Sequence, residues 1–381
     1  MKFSMRKKLI FVTLVLLTAV ILSGCAGGPM RGTTWAGLAA SGNTAYLADG
    51  SFVYAVNLNN GRELWHYPAK ANSKQFFYAT PVITPDGLVI VGSAGTDHSL
   101  IAIDPTDIDS ETQSPVEAWT FTGAKDHWVA APLVVGDKLF APNSDGNLYI
   151  LDLSDNRSAK EAIQVIELGG RLWAQPTTDG ERVYVTSLDH SVVALDVETY
   201  DILWHEDLTS AIPGSAVVGT DGMLYVGSLD SKLERFDPVT GNHDTLLATE
   251  GWLWGTPAIE DDTLYFADLT GELYSFNFKE GTHNWASIRP DGAVTASPLV
   301  LQDFILFATE TGKTEEDPGT LFAVSREGEI IWNEEVDGKI YTTPVVAGDV
   351  ILVAPLGAEG YLYAFGLDGR QVSWSPFTPG E

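Results

Sequence analysis

Ala55-Val56-Asn57-Leu58-Asn59-Asn60-Gly61-Arg62-Glu63-Leu64-Trp65 is the stretch from which the fold can be read. An apolar run enters it, Asn60-Gly61 turns the chain, and a tryptophan ends it. The same spacing returns in Ala194-x-Asp196-x-x-Thr199-Tyr200-x-x-x-Trp204 and in Ser275-x-Asn277-x-x-Glu280-Gly281-x-x-x-Trp285. Ala364 to Trp374 keeps it, Ala323 to Trp332 is one residue short, and Ala102-Ile103-Asp104 reaches Trp119 after an insertion. Arg235-x-Asp237-x-x-Thr240-Gly241 ends at Thr245 instead of tryptophan, and Ile150-Leu151-Asp152 opens a copy that ends without one. A unit written eight times points to a repeat architecture.

Each copy carries a second signature, a small-residue segment with proline that leads into a β-rich run. The prolines are Pro81, Pro132, Pro176, Pro257, Pro298 and Pro344, with Leu38 and Ala216 in the same place elsewhere. Successive spacings are 43, 51, 44, 40, 41, 41 and 46, and insertions near 104–117 and 311–319 account for the longer ones. Between turn residues lie runs such as Met223-Leu224-Tyr225-Val226-Gly227-Ser228, whose alternation and β-branched or aromatic content predict strands. Four short strands in about 43 residues is the length of one propeller blade. A single four-stranded sheet cannot bury both faces, so blades must pack on neighbours, and a ring leaves few open edges. The expectation is an all-β, eight-bladed propeller of four-stranded antiparallel blades over residues 34–381.

Of 381 residues, 51 are acidic and 22 basic, a net charge of −29, which argues against nucleic-acid binding. Residues 1–24 predict a signal peptide: Lys2, Arg6, Lys7 and Lys8 precede an apolar run from Leu9 to Leu22. Leu22-Ser23-Gly24-Cys25 resembles the bacterial lipobox, so Cys25, the chain's one cysteine, is the expected lipid attachment site. Residues 25–33 then read as a lipidated flexible tether, and the mature chain has 18 bases against 51 acids, or −33. A body so acidic is repelled by anionic headgroups, so the lipid, and not the surface charge, would hold it to a membrane.

The Ala-x-Asp-x-x-Thr-Gly-x-x-x-Trp pattern resembles the tryptophan-docking motif of the PQQ-like, quinoprotein dehydrogenase-type β-propellers. Lipobox and eight blades together resemble one branch of them, the lipoprotein scaffolds of the outer-membrane β-barrel assembly machinery. The resemblance implies a non-catalytic, extracytoplasmic, lipid-anchored protein that binds a barrel-insertase subunit where the host has an outer membrane, with no catalytic residues, cofactor or metal. Ala26 after the cysteine leaves out the usual inner-membrane retention aspartate. Two other readings stay open: a surface module for a peptide or sugar, and a PQQ-dependent dehydrogenase. Many such dehydrogenases stack the quinone on a vicinal disulfide, which one cysteine cannot form.

No GxSxG, P-loop or GxGxxG motif is present, and the seven histidines show no i, i+4 pair. His127 and His190, in blade loops, are the two worth testing for metal. Asn143-Ser144-Asp145-Gly146-Asn147 is oxygen-rich but reads as a hairpin turn, because a calcium loop needs more ligands. The candidate partner surface comes from the repeat. Three residues before each proline or its equivalent stand Trp35, Tyr78, Val129, Trp173, Pro213, Trp254, Thr295 and Tyr341. Phe77 and Trp128 lie one residue earlier, and Trp252 is nearby. These residues should open the innermost strand near one channel mouth, either packing between blades or forming a rim. Tyr78, Trp128, Trp173, Trp254 and Tyr341 are the expected partner-binding residues, with Arg171 and Lys339 as cations for a partner's carboxylates.

Overall fold

Alternate residues of a strand point to opposite faces, and in this protein both faces find a neighbour. Leu224 and Val226 belong to one buried cluster and Tyr225 to the next. Val183 and Val185 are likewise parted from Tyr184. The sequence alternation therefore sorts side chains between two adjacent sheets instead of between core and solvent. Both middle strands of each blade are consequently buried along most of their length, except where the third strand of blade 2, Leu100–Ile108, runs out into the insertion.

The computed structural model describes residues 35–154, 161–290, 292–311 and 318–380. Cys25, the signal peptide, the tether and most of the 311–319 insertion lie outside them. The described residues belong to one compact unit. Among the described residues no helix is long and apolar enough to cross a membrane.

The chain makes eight antiparallel sheets in an eight-bladed β-propeller. Blade 1 has strands Gly37–Ser41, Thr44–Asp49, Phe52–Asn57 and Glu63–Tyr67, in that spatial order. Blades 2 to 7 repeat the meander from Val82, Leu133, Thr177, Val217, Ala258 and Leu299 onward. Blade 8 has three strands, Val345–Ala347, Val350–Val353 and Tyr363–Gly366. Single bridges, Phe365–Gln371 and Leu362–Phe377, stand where its fourth strand would run. First strands face the channel; fourth strands form the outer wall and expose Leu64, Ile163, Ile202 and Ile330.

Eight apolar clusters each join two consecutive blades, and one of them joins blade 8 to blade 1. Each blade is contiguous in the chain, so the ring closes by packing and not by exchange of a strand. Trp374 donates its indole N–H to the Leu58 carbonyl at 2.8 Å, and Thr342 Oγ1 donates to the Ala36 carbonyl at 2.5 Å. Inside the ring, Trp204 bonds the Pro238 carbonyl at 2.8 Å and Trp332 the Leu367 carbonyl at 3.1 Å. Trp204, Trp332 and Trp374 thus each reach the hairpin turn of the following blade.

The irregular copies are compensated locally. Blade 3 ends without tryptophan, and blade 4 holds Tyr200, not glycine, at its turn; the Tyr200 ring packs edge-on to Phe140 of blade 3 at 6.0 Å. Blade 5 has Thr245 in place of tryptophan, and Phe278 of blade 6 is buried against Tyr225, with ring centroids 5.1 Å apart. In blade 7, which is one residue short, the Trp285 indole lies over Gly328, and its N–H has no acceptor among the described residues.

Candidate functional site

Hairpin geometry puts two sets of loops on one end of the ring: the turns between second and third strands, and the links between blades. They are stitched together by a repeated hydrogen bond. In six copies the residue four places before the repeat proline or its equivalent donates its N–H to such a turn: Phe77 to Gly50, Trp128 to Ser93, Leu172 to Asn143, Ile212 to Ser187, Leu253 to Ser228 and Ile340 to Glu310, at 2.7 to 3.4 Å. Its side chain is buried every time, at 0 or 1% exposure from Phe77 through Ile340, with Val294 completing the set. The next residue, in extended backbone, must face the other way, toward the channel.

That position builds the site. Trp35, Val129, Trp173, Pro213, Trp254, Thr295 and Tyr341 line a mouth cavity of about 970 Å³. Tyr78, the remaining member, meets Trp35 edge-on at 5.9 Å, and Trp35 reaches across to Trp173 of the blade 4 link at 6.4 Å. Burial, and secondarily the Asp126 charge, push the Tyr78 hydroxyl above its ordinary pKa, so it stays a neutral donor at physiological pH.

The wall below the rim explains the small residues before each proline. A Cβ on Gly37 would lie 2.2 Å from the Ala79 carbonyl oxygen, because neighbouring links converge there. Hydroxyls tie the links around the channel: Thr256 Oγ1 accepts from Ser215 N at 2.8 Å, Ser297 Oγ from Thr256 N at 2.9 Å, and Thr343 Oγ1 from Ser297 N at 3.0 Å. The Ser or Thr before the proline was visible in the sequence, but its bonding across blades required the ring.

Two expected site residues fall elsewhere. Trp128 is not on the rim: it is 1% exposed, packs on Phe121 and Tyr149, and donates its indole N–H to the His98 carbonyl at 2.8 Å. It occupies the inward position of its copy, as Leu172 and Leu253 do in theirs. Lys339 is not a free cation: its Nζ lies 4.0 Å from Glu310 Oε1, which also accepts from the Tyr341 hydroxyl at 2.7 Å. Arg171 is exposed and makes no ion pair among the described residues. Trp252, 55% exposed beside Trp254, extends the aromatic surface outward.

Residue-by-residue reading missed a carboxylate belt. Asp97, Asp145, Asp189, Asp230 and Asp268 all stand in the turns around the mouth, with Glu310 in blade 7. Their oxygens organise the turns: Asp145 accepts from Tyr149 OH at 2.7 Å and Lys125 N at 2.9 Å, and Asp268 from Tyr274 OH at 2.9 Å and Gly251 N at 2.8 Å. The Asn143–Asn147 segment is therefore a turn whose oxygens are already engaged. The 104–117 insertion is an extended hairpin, Leu100–Ile108 with Pro115–Phe121, on the opposite end of the ring, where Ser114 Oγ donates to the His66 carbonyl at 2.7 Å. A mouth lined with indoles and hydroxyls inside an acidic belt is suited to gripping an apolar or aromatic anchor with basic surroundings.

A family model described as "Outer membrane protein assembly factor BamB" matches residues 29–243 and 156–285. A protein of that name from Bordetella pertussis is 31% identical over 273 residues, 68% of this chain and 67% of the relative. The one from Shewanella oneidensis is 26% identical over 248 residues, 60% of this chain and 58% of its own length. Against three of the curated relatives it matches, the chain spans only 52 to 58% of their length. The crystal structure of BamB from Moraxella catarrhalis superposes with a TM-score of 0.62 at 20% identity, covering 87% of this chain and 91% of that one; at such identity the likeness speaks to the fold.

Proposed function

The chain belongs to the family of the outer membrane protein assembly factor BamB, and from that membership we propose a non-catalytic scaffold for outer-membrane protein assembly, docking its partner on the channel mouth. The observation that carries the proposal is the convergence of one repeat position, contributed by all eight blades, on a single aromatic mouth. The docking position is partly buried at Trp35, Tyr78, Trp173, Trp254 and Tyr341, so these rings keep some surface that can trade solvent for a partner. Partly exposed indoles around a pocket are typical anchor sites. The carboxylate belt favours a partner whose contacting surface carries Lys or Arg, and it would steer such a partner electrostatically. Arg171 is the one cation proposed to meet a partner's carboxylate.

Cys25 is proposed to carry the lipid that keeps the propeller at the membrane, with the host's outer membrane facing the periplasm as the proposed location. The partner proposed is a barrel-insertase subunit. The test is recovery of the lipidated protein from gently solubilised native membranes, comparing wild type with the Trp173→Ala/Trp254→Ala double variant. Wild type is expected to bring an insertase subunit down in near-equal amount. Losing two anchors should weaken recovery at least about tenfold. Wild type recovered alone, or an unchanged double variant, would refute this reading. The size of the cavity supports a second reading, a peptide or sugar ligand stacked on the indoles; binding of an isolated ligand with no co-purifying subunit would favour it.

A further inference from the structure

Three metal-capable side chains meet outside the aromatic mouth. His98 comes from the turn between the second and third strands of blade 2, and Asp126 and His127 from the link into blade 3. One donor atom of each lies within 4.8 Å of the others, and the two imidazole rings are 5.5 Å apart. We propose that His98, Asp126 and His127 form a binding site for a divalent transition metal of the zinc type. The expectation of no metal, made from the sequence, gives way here because His98 and His127 are 29 positions apart and no motif links them.

Both segments are held before any ligand arrives. The His98 turn is tied by Asp97, which accepts from Ser93 Oγ at 2.6 Å and Ser99 Oγ at 2.5 Å. The His98 carbonyl is fixed by the Trp128 indole, and its backbone sits at φ +49°, a conformation that non-glycine residues seldom adopt. On the other side, Asn143 Nδ2 donates to the Asp126 carbonyl at 3.0 Å and Ser144 N to the His127 carbonyl at 3.1 Å. His98 Nδ1 is buried with no hydrogen-bond partner among the described residues, an orphaned group in a residue already strained. Asp126 Oδ1 lies 3.1 Å from His127 Nδ1, while both side chains remain partly open to solvent, so an ion can enter.

Two imidazoles and one carboxylate are the donor set of borderline transition metals; magnesium and calcium take oxygen ligands. Metal–donor bonds of about 2.0–2.2 Å place donors roughly 3.3–3.6 Å apart in a tetrahedron. The present trio lies within 4.8 Å, so side-chain rotation would have to close the wider gaps to that spacing. Three protein donors leave at least one position for water or an outside ligand. Other histidines lack such a set: His66 pairs with Glu63, His205 with Asp207 and His243 with Glu234, one carboxylate each.

The test uses the untagged propeller, with Co²⁺ as the visible probe and Zn²⁺ as its competitor, against His98→Asn, His127→Asn and His190→Asn. Asparagine tolerates the left-handed backbone at position 98, and circular dichroism would verify each fold. One Co²⁺ per chain is expected, displaced by Zn²⁺ and unaffected by millimolar Mg²⁺. His98→Asn and His127→Asn should each weaken binding at least about tenfold, since even indirect support of a metal ligand is worth that much. His190→Asn should bind as wild type does. Absence of stoichiometric binding, or wild-type affinity in folded His98→Asn and His127→Asn, would overturn the site.

Discussion

Gly241 and Gly281 hold the same place in two hairpin turns, yet their surroundings differ because of one residue in the preceding blade. Trp204 precedes Gly241, and a Cβ there would lie 2.9 Å from the indole, at φ +74°. Thr245 precedes Gly281, and a Cβ there at φ +69° meets nothing within 4 Å. Gly281→Ala should therefore cost only the backbone strain, about 1 kcal/mol. Gly241→Ala should cost that plus displacement of a buried indole, about 2–4 kcal/mol in total. Denaturant titration of both variants checks the pair; equal costs would mean that the turn glycine does not serve the tryptophan. At this scale the repeat was legible because tryptophan, glycine and their spacing are written in the chain. The compensations by Tyr200 and Phe278 were not, since each is defined by what the neighbouring blade lacks.

Among elements, the links between blades carry both stability and the site, and their alternation decides which residue does which. Trp128 looked like a rim residue because it is aromatic; its register makes it interior, as the apolar residue at that position of every described copy now explains. The links are also tied by charge. Asp230 lies in the blade 5 turn, 2.7 Å from Lys232 Nζ and 2.6 Å from Ser228 Oγ, and it accepts from Thr209 of the link. Desolvation pushes its pKa up, but the Lys232, Ser228 and Thr209 contacts outweigh it and hold the value at about 2. A carboxylate depressed in the folded state stabilises above its unfolded pKa and loses that stability as pH falls through its folded one. Asp230→Asn should thus lower stability at pH 7 by about 1–2 kcal/mol, after allowance for solvent screening. The gap between variant and wild type should close as pH drops from about 4 to about 2. A gap independent of pH would show that the carboxylate contributes by hydrogen bonding alone.

At the level of the whole molecule, the claim about architecture is closure without strand exchange. Trp332 joins blade 7 to blade 8, and Trp374 joins blade 8 to blade 1; both are half-buried and both bond the next blade's carbonyl. In a closed ring Trp332→Ala and Trp374→Ala should cost alike, about 2–4 kcal/mol each. A ring frayed at its ends would make the Trp374 change nearly silent. Eight copies of one period made the ring legible, whereas the missing fourth strand of blade 8 was hidden, because Ala364 to Trp374 keeps full spacing while the chain there forms only bridges. The partner surface was legible as a repeat position, but the acidic belt and the histidine pair were not: both are assembled by loops that meet only when blades stand side by side.

The central claim is that a partner docks on the aromatic mouth, and site-specific photocrosslinking in the lipidated protein within its native membranes tests it most directly. A photoreactive residue replacing Trp254 or Tyr341 should crosslink to one insertase subunit, while the same residue replacing Ile202 or Ile330 on the outer wall should not. Crosslinks confined to the outer wall, with none from the mouth, would contradict the account.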